Sequence, residues 1–252
     1  MGPLLEIDSV SKFFEGLKAL ENVSFTMDRG EILGLIGPNG AGKTTLFNLI
    51  TGTFPVTSGT IRYKGEDLSG MGPSKVAALG IGRTFQIVRP FAGLTVLENV
   101  LVALGVTHYA SFFRSVSRYR TSATVSEARE ILGRVGLLDY VDHKAENLPL
   151  GLKKRLEIAR ALALHPELIL LDEPAGGLRK EEMDQLIDLV REINREGTSV
   201  LVIEHNMPVV MQLCKRIVVL DHGAKIAEGP PEAIQNDPQV IEAYLGREED
   251  AA

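Results

Sequence analysis

One cysteine in 252 residues leaves no partner for an internal disulfide and no set of thiolates for a structural metal, a usage that fits a reducing compartment. Cys214 is expected to be a buried structural thiol. No stretch approaches the roughly 18 consecutive apolar residues that a membrane span needs, and no charged-then-apolar segment opens the chain. Any service to a membrane is therefore expected from its water side. There is no internal repeat, no heptad pattern and no low-complexity tract. Positive charge is not in excess either: 27 Lys and Arg against 33 Asp and Glu give a net charge of −6, which argues against a general nucleic-acid binder. What remains is a chain 44% hydrophobic and 24% charged, a balance that suits one globular α/β unit with a substantial core.

The order of elements narrows that class. Val23, Phe25 and Met27 alternate with polar residues before Arg29-Gly30, predicting a half-buried strand and a turn. A buried strand is expected over Ile32 to Ile36, a helix from about Lys43 to Thr51, and a short strand over Thr60 to Tyr63. From Leu94 to Leu164 the apolar spacing becomes helical, through Val96, Leu97, Val100, Leu101 and Leu104, then Ala128, Ile131, Leu132 and Val135, then Leu156, Ile158, Ala159 and Leu162. Beyond Pro166 strands at 168–171, 199–203 and 217–220 alternate with helices at 179–195 and 208–214, the pattern of a parallel sheet with crossover helices.

Two motifs carry chemistry. Gly37-Pro38-Asn39-Gly40-Ala41-Gly42-Lys43-Thr44 fits G-x-x-x-x-G-K-[ST] between a strand and a helix, the context a P-loop requires. Its glycines let backbone N–H groups face phosphate oxygens, and the helix N-terminus adds its positive dipole. Lys43 then addresses the β- and γ-phosphates of ATP, and the Thr44 hydroxyl Mg²⁺. Such a loop needs a carboxylate at the end of a neighbouring strand, and Leu168-Ile169-Leu170-Leu171-Asp172 supplies one. Adjacent acids at a strand end point in different directions, so Asp172 can serve the metal while Glu173 polarises a water for in-line attack.

These residues, with Arg83-Thr84-Phe85-Gln86, LEIARAL at 156–162 and Ile203-Glu204-His205, resemble the nucleotide-binding subunit of an ABC transporter over nearly the whole chain. GIGRTFQ at 80–86 and the ending EAYLG at 242–246 resemble, within that superfamily, the ATPases of branched-chain amino acid importers. The resemblance implies a RecA-like P-loop NTPase fold: a parallel-sheet core with an antiparallel β part over about 1–86 and 165–230, a helical signature subdomain over about 87–164, and a C-terminal helix and tail over about 231–252. It implies that Phe14 stacks on adenine, that Thr45 completes the nucleotide loop, that Gln86 touches Mg²⁺ and the attacking water, and that His205 contacts the γ-phosphate. Implied partners are a second ABC ATPase subunit, membrane-spanning permease subunits and, indirectly, a solute-binding protein, with the chain peripheral on the cytoplasmic side of the cell membrane. The competing class is a soluble ABC-type ATPase not coupled to transport, such as an Fe–S assembly ATPase.

Where the family carries Leu-Ser-Gly-Gly-Gln or a near relative, this sequence reads Leu148-Pro149-Leu150-Gly151-Leu152. In the family that loop contacts ATP held by the other subunit. Pro149 removes both a hydroxyl and a backbone N–H, although proline tolerates a first helical turn and the helix N-terminus survives as an anion site. Arg179 stands where the family's D-loop usually has Asp or Asn. Both departures lie on the face that meets the partner, and the resemblance to branched-chain amino acid importers, which pair two different ATPases, implies a heterodimer rather than a homodimer. From Asn99 to Ser126 there is no acid, while Arg114, Arg118 and Arg120 interleave with Tyr109, Phe112, Phe113 and Tyr119. That stretch reads either as a contact with anionic headgroups or membrane subunits, or as an insertion folding its aromatics onto the helical part; three arginines make a weak patch, which favours the second.

Overall fold

The computed structural model describes residues 2–85, 89–108 and 121–245. Two sheets share the chain. Strands β1 (Leu5–Phe14), β2 (Leu17–Met27), β4 (Ser58–Tyr63) and β5 (Glu66–Asp67) form an antiparallel sheet in the order β2-β1-β4-β5. Strands β3 (Ile32–Ile36), β6 (Ile81–Arg83), β7 (Leu168–Asp172), β8 (Ser199–Ile203), β9 (Arg216–Asp221) and β10 (Ala224–Gly229) form the second, in the order β10-β9-β3-β8-β7-β6. All its neighbours run parallel except the β9–β10 pair, an antiparallel hairpin at one edge.

The near-continuous apolar runs of β3, β7, β8 and β9 have a direct cause, because each strand is buried on both faces. Alternate residues feed two different cores. Leu33, Leu35, Leu168, Leu170, Leu201, Ile203, Val218 and Leu220 pack with Phe47, Tyr63 and the antiparallel sheet. Ile36, Ile169, Leu171, Val200, Val202, Ile217 and Val219 pack with the helices. Those helices are α3 (Val96–His108), α4 (Ser122–Arg134), α5 (Leu150–Leu162), α6 (Lys180–Arg195) and α7 (Met207–Leu213). The first two were preceded by α1 (Lys43–Ile50) and α2 (Pro73–Ala78), both in the first third of the chain.

Charge ties the two sheets together at one end. Arg216 at the start of β9 donates from Nε and Nη2 to the two Glu31 carboxylate oxygens at 2.8 and 2.9 Å, and from Nη2 to the Thr26 carbonyl of β2 at 2.6 Å. Cys214 lies under β3: it is 5% exposed, its Sγ stands 3.0 Å from where a side chain at Gly34 would begin, and burial pushes its thiol pKa up to about 12.

The structure departs from the sequence reading at several places. Strands β1, β5 and β6 and helix α2 were not anticipated, β10 adds a second hairpin strand after β9, and the C-terminal helix is two short ones, α8 (Pro231–Gln235) and α9 (Pro238–Leu245). Asn236 and Asp237 separate them, and Pro238 takes the first position of the second helix, where its missing N–H costs nothing. The arginine and aromatic residues of 109–120, and Gly246 at the end of EAYLG, lie outside the described residues.

Leu170 is fully buried in β7 and faces the antiparallel-sheet core two residues before Asp172. Leu170→Ala is expected to cost about 2–5 kcal/mol of stability through lost burial and the cavity left behind, read as a lowered midpoint in urea unfolding.

Candidate functional site

Parallel pairing aligns strand ends, and here it gathers the predicted residues on one edge of the sheet. β3 delivers the glycine loop, β8 ends at Ile203 before Glu204 and His205, β7 ends at Asp172, and β6 ends at Arg83. Asp172 sits directly opposite Ile203 in the register, and the Glu173 N–H continues the ladder to the Ile203 carbonyl at 2.9 Å.

The loop from Gly37 to Lys43 is shaped by steric exclusion. A Cβ at Gly37 (φ 149°) would lie 2.0 Å from the Leu220 carbonyl oxygen, and one at Gly42 (φ 100°) would lie 2.6 Å from the Ala19 carbonyl oxygen. The chain therefore passes so close to β9 and β2 that no side chain fits. Lys43 folds back into the loop, its Nζ donating to the carbonyls of Gly37 at 2.7 Å and Pro38 at 2.8 Å. Burial lowers the lysine pKa, and the negative charges of Glu173 and Asp172 offset this in part. Phe14, Leu17, Lys18, Ala19, residues 39–45 and Glu173 line one open cavity of about 450 Å³. Phe14 forms one end, with the edge of Phe54 set against its ring at 5.4 Å and the Lys12 ammonium 4.8 Å from its centroid.

Beyond the loop the acids take different environments. Asp172 is 3% exposed, and burial raises its pKa against the pull of Arg83. Glu173 adopts a left-handed backbone (φ 48°), uncommon for a residue with a side chain, and this turns it out of the strand direction. Its carbonyl is held by Lys154 Nζ at 2.8 Å, and its Oε2 lies 3.7 Å from Nδ1 of the exposed His205. Under this turn Glu204, 0% exposed, accepts from the N–H groups of Ala175 (2.6 Å), His205 (3.2 Å) and Asn206 (3.3 Å). Burial pushes the Glu204 pKa up while these donors pull it back.

Sequence reasoning assigned no role to Arg83, Lys154 or Glu204. Lys154 did leave a trace: with Ile158 and Ala161 it falls at i, i+4 and i+7 on the buried stripe of α5, a charge in phase with an apolar face. Arg83 and Glu204 stood inside quoted motifs, but nothing in their local pattern marks them as buried. Gln86 lies outside the described residues, as do Ile87 and Val88. Next to that segment Phe85 (59% exposed), Phe91, Val102, Ala103, Arg160 and Leu164 line an open apolar groove, with the Arg160 guanidinium 4.9 Å from the Phe91 ring.

The loop at 148–152 is a helix start. Pro149 (φ −59°, ψ 160°) is the N-cap of α5, with no side-chain hydrogen bond to the first turn, so it stands one position before the helix. Leu148 is buried and Leu150 exposed, while Leu152 packs against the helical core. Gly151 lies under α6, where an added Cβ would meet Glu182 Oε1 at 2.6 Å, and Glu182 Oε2 accepts the Arg179 N–H at 2.9 Å.

A metal ion finds suitable donors here. Among the described residues Asp172 Oδ1 is buried without a hydrogen-bond partner, and Asp172 shares an open cavity with the exposed Thr44. One carboxylate oxygen and one hydroxyl, with phosphate oxygens completing the shell, suit a hard divalent cation.

A glycine loop with an inserted lysine, a buried acid two strands away and a second acid beyond it define a P-loop ATPase. A family model described as ABC transporter matches residues 20–176, and one described as branched-chain amino acid ATP-binding cassette transporter matches 224–250. The chain belongs to the ABC transporter family, as one of its ATP-binding cassettes, and is an ATPase. It is 43% identical over 250 residues to the high-affinity branched-chain amino acid transport ATP-binding protein LivG of Escherichia coli (strain K12), covering 97% of this chain and 98% of that one. It is 40% identical over 250 residues to BraF of Pseudomonas aeruginosa, which carries the same description, with the same coverage. An ATP-binding cassette of an ABC transporter solved in its ADP conformation superposes with a TM-score of 0.88 at 32% identity, covering 98% of this chain and all of that one. A bacterial ABC transporter cassette solved as a dimer gives 0.79 at 28% identity, over 90% and 98% of the two chains. These relatives favour the transporter reading over the soluble ATPase.

Glu173→Gln removes the carboxylate's negative charge and its basicity while nearly keeping its shape, so nucleotide binding is expected to persist while ATP turnover falls by about 10²-fold or more. Steady-state phosphate release beside nucleotide titration checks this; equal turnover in the two proteins would remove Glu173 from the role of base.

Proposed function

We propose that this chain is the ATP-hydrolysing subunit of an importer for branched-chain amino acids or a closely related small solute, working on the cytoplasmic face of the membrane. The observation that carries the reading is the single cavity running from Phe14 through the glycine loop to Glu173, on a chain 43% identical to LivG. Among the described residues no helix is long and apolar enough to cross a membrane. On this proposal separate permease subunits form the pore, with a solute-binding protein acting through them.

In this reading adenine stacks on Phe14, and the amides of residues 37–45 with Lys43 hold the phosphates. Mg²⁺, when bound, supplies positive charge against the phosphate oxygens, with Thr44, Asp172 and Gln86 as its protein contacts. Glu173 orients and deprotonates the attacking water, and His205, beside it, donates to the γ-phosphate.

The groove beside Phe85 and Phe91 receives a short helix of a permease subunit, since an exposed aromatic pair in an apolar groove that Arg83, Glu157 and Arg160 also line fits an amphipathic partner. A photo-crosslinker at position 91 in the assembled transporter is expected to capture a membrane protein. Capture of only another copy of this chain would place the groove elsewhere.

The helix start at Pro149 serves ATP held by a second, different ABC ATPase subunit. It offers backbone amides and dipole without a capping hydroxyl, so this composite site is the weaker of the two in a heterodimer. The loss of one hydrogen bond to a charged phosphate amounts to about 1.5–3 kcal/mol, or roughly ten- to a hundredfold in affinity. Pro149→Ser, alone and with Leu152→Gln, is expected to strengthen ATP-dependent self-association of the isolated chain, followed by sedimentation. The single variant matters because Leu152 packs on the core and its replacement carries a stability cost of its own. Equal association and turnover of wild type and both variants would remove the asymmetry.

A further inference from the structure

Arg83 is a buried cation that the reaction as described does not use. Its side chain is 9% exposed and faces an Asp172 side chain that is 2% exposed, with Nη2 donating to Asp172 Oδ2 at 3.1 Å. The other amino group, Nη1, donates to Asn48 Oδ1 at 2.7 Å and Thr51 Oγ1 at 3.3 Å. Asn48 and Thr51 follow Thr44 by four and seven residues on α1 and its C-cap, so all three lie on one stripe of that helix. The same guanidinium lies 5.6 Å from the Phe47 ring and 5.1 Å from the Phe85 ring. One planar group thus joins the end of β7 to the helix that begins at the glycine loop. It takes up Oδ2 of the carboxylate and leaves Oδ1, which has no hydrogen-bond partner among the described residues, beside the cavity that Thr44 also lines.

We propose that Arg83 is a positioning residue for the metal site: it clamps Asp172 to α1 in the rotamer that presents Oδ1, with Thr44, to the Mg²⁺ of bound nucleotide. The proposal rests on the reading that Asp172 serves the metal. A fixed fork explains why arginine stands here, because a lysine ammonium could hold Asp172 or Asn48 but has no planar geometry to set the angle between them. A guanidinium is also weakly hydrated, which lowers the cost of placing it in a nearly dry seam.

Mn²⁺ is the probe, its binding to the ADP-loaded full-length protein followed by electron paramagnetic resonance, with ADP affinity measured separately by calorimetry without metal. Arg83→Met is expected to weaken Mn²⁺ binding by about tenfold or more, the range seen when a partner that orients a metal ligand is removed, while metal-free ADP affinity stays within about twofold. Arg83→Lys is expected to fall between the two and to recover part of the loss. Asn48→Leu, which removes one grip and keeps the guanidinium, should move metal affinity in the same direction and supplies the test if Arg83→Met does not fold. Asp172→Asn separates the two levels of the claim. Weakening by Asp172→Asn with none from the Arg83 and Asn48 variants overturns the positioning role alone, whereas no effect of Asp172→Asn overturns the metal reading with it. Tighter Mn²⁺ binding in Arg83→Met would make the guanidinium a competitor of the metal and would also overturn the proposal, as would parallel losses of metal and metal-free ADP affinity.

Discussion

Strands β3, β8 and β7 run parallel with both faces buried, and the glycine loop, His205, Asp172 and Glu173 follow their carboxyl ends, while Phe14, Leu17, Lys18 and Ala19 of β1 and β2 complete the cavity beside the glycine loop. The constraint is severe because a shift of one residue in β7 would exchange Leu170 and Leu171 between two different cores and carry Asp172 out of line with Ile203. Hydrophobic packing on two sides therefore fixes the strand ends that carry Asp172 and Glu173 relative to the loop that carries Lys43. The glycine loop adds a second restriction, since backbone carbonyls of Leu220 and Ala19 occupy the space that side chains at Gly37 and Gly42 would need.

Beneath that edge lies a layer of buried polar groups whose pairing is local and specific. Lys154 reaches from the helix that starts at Pro149 to the carbonyl of Glu173, and Glu204 gathers the amides of Ala175, His205 and Asn206. Low local dielectric makes such groups expensive to leave unpaired and correspondingly effective at holding a single geometry. The left-handed backbone at Glu173 is tolerable in this setting because both its N–H and its carbonyl are tied, to Ile203 and Lys154 respectively.

Much of this was legible in the residues, and the reasons for success and failure are physical. Apolar runs ending in Asp172 or Ile203 could hardly be anything but buried parallel strands, and the glycine loop fell between a strand and a helix as its chemistry requires. Strand β1 escaped because its apolar alternation breaks: Asp8 and Ser9 are both exposed, Ser9 has φ 51°, and the register shifts between Ile7 and Val10, so a bulge changes the phase in mid-strand. Arg83 escaped for a different reason. Its burial depends on Asp172 and Asn48, 89 and 35 residues away in the chain, and no local period records such a meeting. Pro149 was seen as a departure, but only the backbone shows that it caps the helix rather than entering it.

The lone thiol at Cys214 has a practical side. Packed under Gly34 and hard to ionise, it offers almost no thiolate to an alkylating reagent while the protein is folded. A fluorophore or spin label attached through a newly introduced surface cysteine would accordingly report from that position without background from the native one. Modification of the buried sulfur would require the seam between α7 and β3 to open, so its rate would measure how often that opening occurs.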